Sequence, residues 1–312
     1  MRAKIAVVGA GHVGATCAQH IAERGLGDVV LLDVIEGVPQ GKALDLAESA
    51  PVEQFDGRVV GTNDPAGLAG ADLVVITAGR ARTPGMTRED LLLANAAIVK
   101  RVVESVREHA PDAVLVVVTN PLDVMCWLVR EVTGFEAERV VGMAGVLDTA
   151  RFRTFLSLET GVSVRDIQAM VLGGHGDAMV PLVRYSSIGG IPVEQFLAPE
   201  RLSAIVERTR KGGIEVIDHL KTGSAYYAPA SGAAEMAEAI LRDQRRLLPC
   251  SARLDGHYGL TDVYIGVPVV LGAGGVGRIV EIDLTDEEMM ALRTSAGGVL
   301  ENVRILKDGG LV

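Results

Sequence analysis

The sequence predicts an α/β fold in which a doubly wound parallel sheet is followed by an α+β domain. Short apolar runs of strand length alternate with helical patterns through the first half, and this alternation is typical of parallel sheets built from strand–helix–strand units. Two runs, at 71–79 and 113–119, are apolar almost throughout. Strands that are covered on both faces have this composition, so we predict helices on both sides of the sheet.

The elements of the first half follow in chain order. We predict strands at 4–8, 28–33, 71–79 and 113–119, and helices at 12–25, 38–50 and 88–110. The last of these helices keeps an apolar stripe at helical spacing and is stopped by Pro111.

The second half has a different pattern, without a Pro/Gly/Ser-rich linker or an internal repeat before it. We predict helices at 147–161, 201–220, 231–246 and 286–306, a strand that enters a tight turn at 165–174, and a hairpin at 263–282. We place the domain boundary near Gly145, which gives domains at 1–144 and 145–312, and expect tight packing between them.

Composition narrows the class of protein. The 312 residues are enough for one large domain or two ordinary ones. A net charge of −10 argues against nucleic acid or an anionic membrane as the main partner, and the apolar runs are far shorter than the roughly 20 residues of a spanning helix. The three cysteines are widely spaced and form no CxxC pair, which favours reduced thiols and a cytoplasmic location.

A glycine-rich segment after the first predicted strand has the spacing GxGxxG. It opens the next helix, and Asp33 stands 24 residues after Gly9, at the end of the second strand. Glycine backbone at a helix N-terminus can receive a pyrophosphate, and the carboxylate can accept hydrogen bonds from a ribose. A tight turn without a ligand is the alternative. A second glycine sextet, at 272–277, runs into a strand pattern, and we interpret it as a hairpin turn.

The first motif therefore predicts a Rossmann-type dinucleotide site. Asp33 is followed by Val34 and Ile35, so no arginine is offered to a 2′-phosphate, and NAD is favoured over NADP. The candidate cofactor residues of this segment are Val8, Gly9, Ala10, Gly11, His12, Val13, Gly14 and Asp33.

Three further segments carry candidate chemistry. His175 lies in a glycine-flanked turn, Asp148 and Arg151 lie three residues apart on one predicted helix, and an arginine-rich loop at 80–88 follows a predicted strand. Each has an ordinary alternative: a structural histidine, an intrahelical ion pair and a solvated loop. Their occurrence together with a dinucleotide motif favours an active site.

These segments carry a resemblance to a known family. VVGAGHVG, TAGRARTPGMTR, VTNPLD, GVLDTARF and GGHGD occur in the order found in the lactate/malate dehydrogenase family. The chain resembles that family over nearly its whole length, and within it most resembles the bacterial malate dehydrogenases of the lactate-dehydrogenase-like type.

The resemblance implies roles for four of these residues. His175 would exchange the proton of the substrate's C2 oxygen, for which imidazole is suited because its pKa lies near neutrality. Asp148 would orient that ring and stabilise imidazolium. Arg151 would bind the C1 carboxylate through its two-pronged guanidinium, and Asn120 would contact substrate and nicotinamide ribose.

The same resemblance assigns the arginine-rich loop to substrate selection. Arg88 would polarise the ketone when the loop closes, and Arg82 would pair with the distal carboxylate of oxaloacetate or malate. A lone guanidinium against the methyl group of pyruvate would be an unpaired, desolvated charge. The further cofactor residues that the resemblance implies are Asn95, Val118, Thr119 and Asn120.

We thus expect reversible oxidation of (S)-malate to oxaloacetate with NAD, without a metal. The alternatives are a lactate or broad 2-hydroxy acid dehydrogenase, an NAD-dependent glycosidase, which would need a metal-binding Cys/His set, and a non-catalytic NAD-binding sensor. Family members are usually dimers or tetramers, and we expect a homo-oligomer that uses an apolar stripe on the helix beginning at Pro39.

Overall fold

The first half of the chain forms the parallel sheet that the sequence predicts. The computed structural model describes residues 2–80 and 85–311. The strands are β1 (Lys4–Val8), β2 (Asp28–Leu32), β3 (Val59–Thr62), β4 (Leu73–Ile76), β5 (Val114–Val117) and β6 (Val140–Gly142), and the helices are α1 (His12–Glu23), α2 (Val38–Glu53), α3 (Arg88–His109) and α4 (Leu122–Thr133).

The strand order places a ligand crevice between β1 and β4. The six strands are parallel and lie in the order β3-β2-β1-β4-β5-β6, so successive strands are added first on one side of β1 and then on the other. Ligands bind at such a switch point, beyond the carboxyl ends of the strands. Every residue of β4 and β5 is buried, as their apolar composition predicted.

Two short strands and one helix of this half were not predicted. β3 and β6 have only four and three residues, too few for an alternating pattern to be recognised. Helix α4, for which no bounds were predicted, has nine buried residues out of twelve.

The second half adds four helices and eight strands in the described residues. The helices are α5 (Gly145–Thr160), α6 (Pro199–Leu220), α7 (Tyr227–Leu241) and α8 (Asp286–Asp308), and the strands are β7 (Ile167–Gln168), β8 (Val171–Gly173), β9 (Met179–Pro181), β10 (Ser187–Ile188), β11 (Ile191–Pro192), β12 (Arg246–Asp255), β13 (Thr261–Gly272) and β14 (Gly275–Ile279). The second glycine sextet forms the turn between β13 and β14, as predicted.

One sheet runs through both halves. Strand β12 lies antiparallel to β6, with Ser251 opposite Gly142, and the sheet continues through β13, β8 and β9, so that eleven strands of the described chain belong to it. Most buried apolar residues of the two halves form one continuous core around this sheet. A second, smaller apolar cluster, which includes Phe152 and Ile167, lies within the second half. The α/β fold class is confirmed. Within residues 2–80 and 85–311, every helix is too short or too polar to cross a bilayer.

The predicted C-terminal end of the helix at 231–246 was wrong. Helix α7 ends at Leu241, because Asp243 and Arg245 adopt the left-handed backbone conformation with φ of 43° and 51° and turn the chain into β12. Strand β12 itself was not predicted. It contains Pro249, and a proline is uncommon in a strand that has neighbours on both sides.

Candidate active site

The glycine turn lies between β1 and α1, at the switch point of the sheet. Gly9 has φ of +106°, and a Cβ on Gly14 would lie 1.8 Å from the Gly9 carbonyl oxygen, so α1 can pack this closely only because residue 14 is glycine. Gly11 caps α1 without a side-chain hydrogen bond, and a Cβ there would meet no atom within 4 Å. The first amides of α1 therefore face open space, which fits the pyrophosphate of NAD.

Asp33 stands directly beside this turn. One carboxylate oxygen accepts a hydrogen bond from the Ala10 amide at 2.6 Å, and the other accepts from Ile35 N at 3.0 Å. Lys42, on α2, donates from Nζ to the Ala10 carbonyl oxygen at 2.6 Å. The Ala10 residue is thus held between a carboxylate and an ammonium group. Lys42 was not predicted from the sequence, because it belongs to no motif with a recognisable spacing.

His175, Asp148 and Arg151 form one hydrogen-bonded group. His175 follows β8, and its Nδ1 lies 2.9 Å from one Asp148 oxygen, while Arg151 Nη1 lies 3.2 Å from the other. Asp148 is 1% exposed and lies in the first turn of α5, where the helix dipole favours a negative charge. The structure therefore brings together three residues that the sequence separates by up to 27 positions.

This environment tunes the imidazole for proton exchange. Burial lowers the pKa of His175, but the charge and hydrogen bond of Asp148, together with the charge of Asp123, raise it, and the resulting pKa lies above its ordinary value. Because Nδ1 faces Asp148, Nε2 is the ring nitrogen left to meet a substrate. The imidazole can thus give a proton through Nε2 when it is charged and take one when it is neutral.

We call His175, Asp148 and Arg151 the proton-exchange group. A cleft of about 460 Å³ extends from this group to the glycine turn. Its walls include Val13 from α1, Val118 and Asn120 from the turn after β5, and Arg151 and His175. Ser224, which precedes α7, lines it as well. Of the predicted cofactor residues, Val13, Val118 and Asn120 therefore share one cleft with the predicted substrate residue Arg151.

The two remaining arginines of the prediction lie differently. Arg88 is the first residue of α3 and pairs with Asp177 at 3.2 Å, with its side chain 85% exposed. Asp177 lines the cleft, so Arg88 stands at its edge. Its contact with the substrate stays a prediction. Arg82 lies outside the described residues.

Asn95 and Thr119 hold backbone turns around the cleft. Asn95 is 2% exposed, accepts from Arg80 N at 2.7 Å, and donates to the carbonyl oxygens of Arg80 and Asn120. Thr119 donates to the Ala78 carbonyl oxygen at 2.8 Å. The Asn95 amide thus ties the start of the arginine-rich loop to the Asn120 turn, and its predicted contact with the cofactor stays a prediction.

Behind His175 lies a buried polar group that the sequence analysis did not single out. Asp123 accepts from the His175 amide at 3.0 Å and from Ser251 Oγ at 2.7 Å, and Ser295 Oγ accepts from the Gly174 amide at 2.7 Å. Asp123 lies within the VTNPLD segment, but Ser251 and Ser295 stand in no motif.

Comparison with known proteins gives full-length matches. The family profile described as lactate/malate dehydrogenase, NAD binding domain, matches residues 3–142, and the one described as lactate/malate dehydrogenase, alpha/beta C-terminal domain, matches residues 145–307. A malate dehydrogenase of Roseiflexus castenholzii is 56% identical over 308 residues, covering 99% of this chain and 100% of that protein.

Solved structures of two named activities share the fold. A malate dehydrogenase from Cryptosporidium parvum superposes with a TM-score of 0.96 at 44% identity, covering 99% of this chain and 100% of that one. A lactate dehydrogenase from the same organism, complexed with lactic acid and nicotinamide adenine dinucleotide, has a TM-score of 0.95 at 44% identity and covers 98% of each chain. The fold alone therefore does not separate the two substrates.

Proposed function

The chain belongs to the lactate/malate dehydrogenase family, and from that premise we propose that it is an NAD-dependent malate dehydrogenase. It oxidises (S)-malate reversibly to oxaloacetate. The observation that carries the proposal is that buried Asp148 contacts both His175 and Arg151, and that these two residues line the cleft beside the glycine turn.

The proton step follows from the His175–Asp148 contact. When bound, NAD accepts or returns the hydride of the substrate's C2 carbon. In malate oxidation, neutral His175 takes the hydroxyl proton through Nε2, and the Asp148 carboxylate stabilises the imidazolium that forms. In the reverse direction, the imidazolium returns that proton to the ketone oxygen.

Substrate orientation follows from the arginines. Arg151 is held by Asp148 at 3.2 Å, so its remaining guanidinium N–H groups can bind the C1 carboxylate in the cleft. We assign polarisation of the ketone to Arg88 and recognition of the distal carboxylate to Arg82. The NAD site comprises the glycine turn, Asp33 and the Val118–Asn120 turn.

The competing activity is lactate or broad 2-hydroxy acid oxidation, and the 44% identity to a lactate dehydrogenase makes it the one to test. Malate differs from lactate by a second carboxylate, with which Arg82 would form an ion pair. The 56% identity to a malate dehydrogenase over 308 residues favours malate.

The test compares oxaloacetate and pyruvate as oxidants of NADH, in the wild type and in Arg82→Gln. We expect the wild type to prefer oxaloacetate. The variant should lose oxaloacetate turnover while its pyruvate turnover rises, because glutamine removes the positive charge of Arg82, which has no partner when the methyl group of pyruvate faces it. Arg80→Gln, in the same loop, is the matched control and should keep the preference. A wild type that prefers pyruvate overturns the malate assignment, and unchanged selectivity in Arg82→Gln overturns the role of that arginine.

We further propose a cytoplasmic homo-oligomer, a dimer or a tetramer, that serves the tricarboxylic acid cycle. All three cysteines are free and buried, which supports a reducing compartment. Helix α2 exposes Leu44 and Val52 at 61% and 77%, which supports a subunit interface there. Light scattering on Leu44→Glu and on the wild type tests this: a wild-type monomer, or an oligomer unaffected by the variant, contradicts the α2 interface.

A further inference from the structure

We propose that Asp123 is a positioning residue for proton transfer: its buried carboxylate fixes the backbone of the His175 turn from the cofactor side of the molecule. The inference rests on the proposed function, because it concerns the same proton step. It adds a residue that does not itself line the cleft and does not contact the His175 ring. Asp123 accepts from the His175 amide and so acts on the imidazole through the main chain, and its negative charge also raises the pKa of His175.

The contacts of Asp123 use both of its oxygens. It is the second residue of α4 and is 6% exposed. One oxygen accepts from the His175 amide at 3.0 Å and the other accepts from Ser251 Oγ at 2.7 Å. Both carboxyl oxygens are thus engaged, one of them with the main chain of the turn, so Asp123 is an attachment point for that turn.

The neighbouring peptide is fixed in the same way. The Gly174 amide donates to Ser295 Oγ at 2.7 Å, and a Cβ on Gly174 would lie 3.0 Å from that oxygen and 3.3 Å from the Asp123 carboxylate. The turn therefore packs directly against two acceptors, the Asp123 carboxylate from α4 and Ser295 Oγ from α8. The backbone amides of Gly174 and His175 are therefore both fixed by hydrogen bonds.

His175 is consequently held at both ends. Asp123 fixes its amide, and Asp148 fixes its ring at Nδ1. With only the ring contact, the imidazole could follow movements of the glycine-flanked turn. With both contacts, Nε2 keeps one direction into the cleft. Proton transfer needs this fixed direction, because small misplacements of a catalytic group reduce the rate strongly.

Burial of a carboxylate at this place has a free-energy cost. Burial raises the pKa of Asp123, and the hydrogen bonds from Ser251 and the His175 amide act against that rise. An apolar side chain would fill the space without this cost but would leave the His175 amide without an acceptor. The carboxylate is thus explained by its contacts with the turn.

The position of Asp123 also links the two sides of the reaction. It stands three residues after Asn120, whose carbonyl oxygen is held by Asn95 and whose turn lines the cleft. Ser251 lies on β12, where the sheet passes from the first half to the second. The Asn120 turn, on the cofactor side, and the His175 turn are therefore both connected to Asp123.

The experiment measures oxaloacetate turnover, NADH affinity and hydrogen exchange of the 171–177 segment in Asp123→Asn. Asn keeps the shape but loses the charge and one acceptor oxygen. We expect kcat to fall by about tenfold or more, which corresponds to roughly 1.4 kcal/mol, while the NADH dissociation constant stays within about twofold. Amide exchange in 171–177 should accelerate.

Two serine variants keep the inference testable if Asp123→Asn does not fold. Ser251→Ala and Ser295→Ala each remove one hydroxyl from the support and should accelerate exchange in 171–177 and lower kcat by a few-fold. Ser186→Ala is the matched control: it also removes a buried hydroxyl, one bonded to the Leu182 carbonyl oxygen, and should change neither quantity.

Three outcomes decide the inference. Faster exchange and lower kcat at unchanged NADH affinity support it. Unchanged exchange in 171–177, or a loss of kcat that only follows a lower unfolding midpoint, overturns it. If the wild type reduces no oxaloacetate, the proposed function fails, and exchange in the serine variants still decides whether the support holds the turn.

Discussion

The glycine turn and the proton-exchange group line one cleft, but they are built differently. The turn is local: Gly9 to Gly14 and Asp33 belong to one strand–helix–strand unit, and what it offers a ligand is mostly backbone. The proton-exchange group draws His175 from one segment and Asp148 and Arg151 from another, and it offers side-chain charge. Its support, Asp123, comes from a third segment.

This difference teaches where each site is vulnerable. A backbone site fails when an added atom prevents close packing, whereas a side-chain site fails when a charge or a proton is lost. Substitutions in the two regions should therefore separate cofactor binding from turnover.

The largest expected effect is that of His175→Asn. Asparagine can hydrogen bond to Asp148 but cannot exchange a proton near neutral pH, so turnover should fall by about 10²- to 10⁴-fold. NADH affinity, measured by fluorescence titration, should be unchanged, since the glycine turn is intact. Near-normal turnover would show that His175 is not the acid–base group.

Asp148→Asn should have the next largest effect and a distinct pH signature. Loss of a charge-assisted contact of about 1.5–3 kcal/mol reduces turnover by roughly tenfold to a hundredfold. Burial lowers the pKa of His175 and Asp148 raises it, so the variant should have a lower His175 pKa.

The sign of the pH effect depends on the direction of the reaction. Oxaloacetate reduction needs imidazolium and declines as pH rises through the His175 pKa, so in Asp148→Asn the decline should occur at lower pH. Malate oxidation needs the neutral ring and should begin at lower pH. Profiles of kcat/KM in both directions measure this shift, and a profile displaced to higher pH would contradict the role of Asp148.

The smallest pair of effects contrasts two glycines of the turn. Gly14→Ala forces the packing of α1 on Gly9 apart and should cost about 1–3 kcal/mol of unfolding free energy together with NADH affinity. Gly11→Ala meets no protein atom within 4 Å and should change stability by less than about 1 kcal/mol.

Gly11→Ala should nevertheless weaken NADH binding, because the new methyl group occupies the approach to the first amides of α1. Thermal unfolding and NADH titration of both variants separate the two effects. If Gly11→Ala binds NADH as tightly as the wild type, the pyrophosphate does not lie against this turn.

The sequence predicted the cofactor side better than the proton side for a physical reason. Apolar strand runs and the GxGxxG spacing are consequences of short-range packing, so they are visible in neighbouring residues, and the resulting fold class is confirmed. Strand β12 was not predicted, because Pro249 is uncommon in an interior strand and argues against a strand there.

Within the site, motif and resemblance named His175, Asp148 and Arg151, and the structure joins them through Asp148. Lys42, Ser251 and Ser295 could not be predicted from the sequence, since a lysine on a helix, or a serine in a strand or on a helix, has no distinguishing spacing. Their partners Ala10, Asp123 and Gly174 lie 32, 128 and 121 residues away.

By itself, the sequence determined the α/β class, the dinucleotide turn and the residue types that the chemistry needs, because these depend on local backbone geometry and on side-chain chemistry. Only the tertiary structure decided that β12 continues the parallel sheet, that Asp148 contacts both its partners, and that Asp123 supports the His175 turn from behind. Such contacts arise from the packing of distant segments, which leaves no periodic trace along the chain.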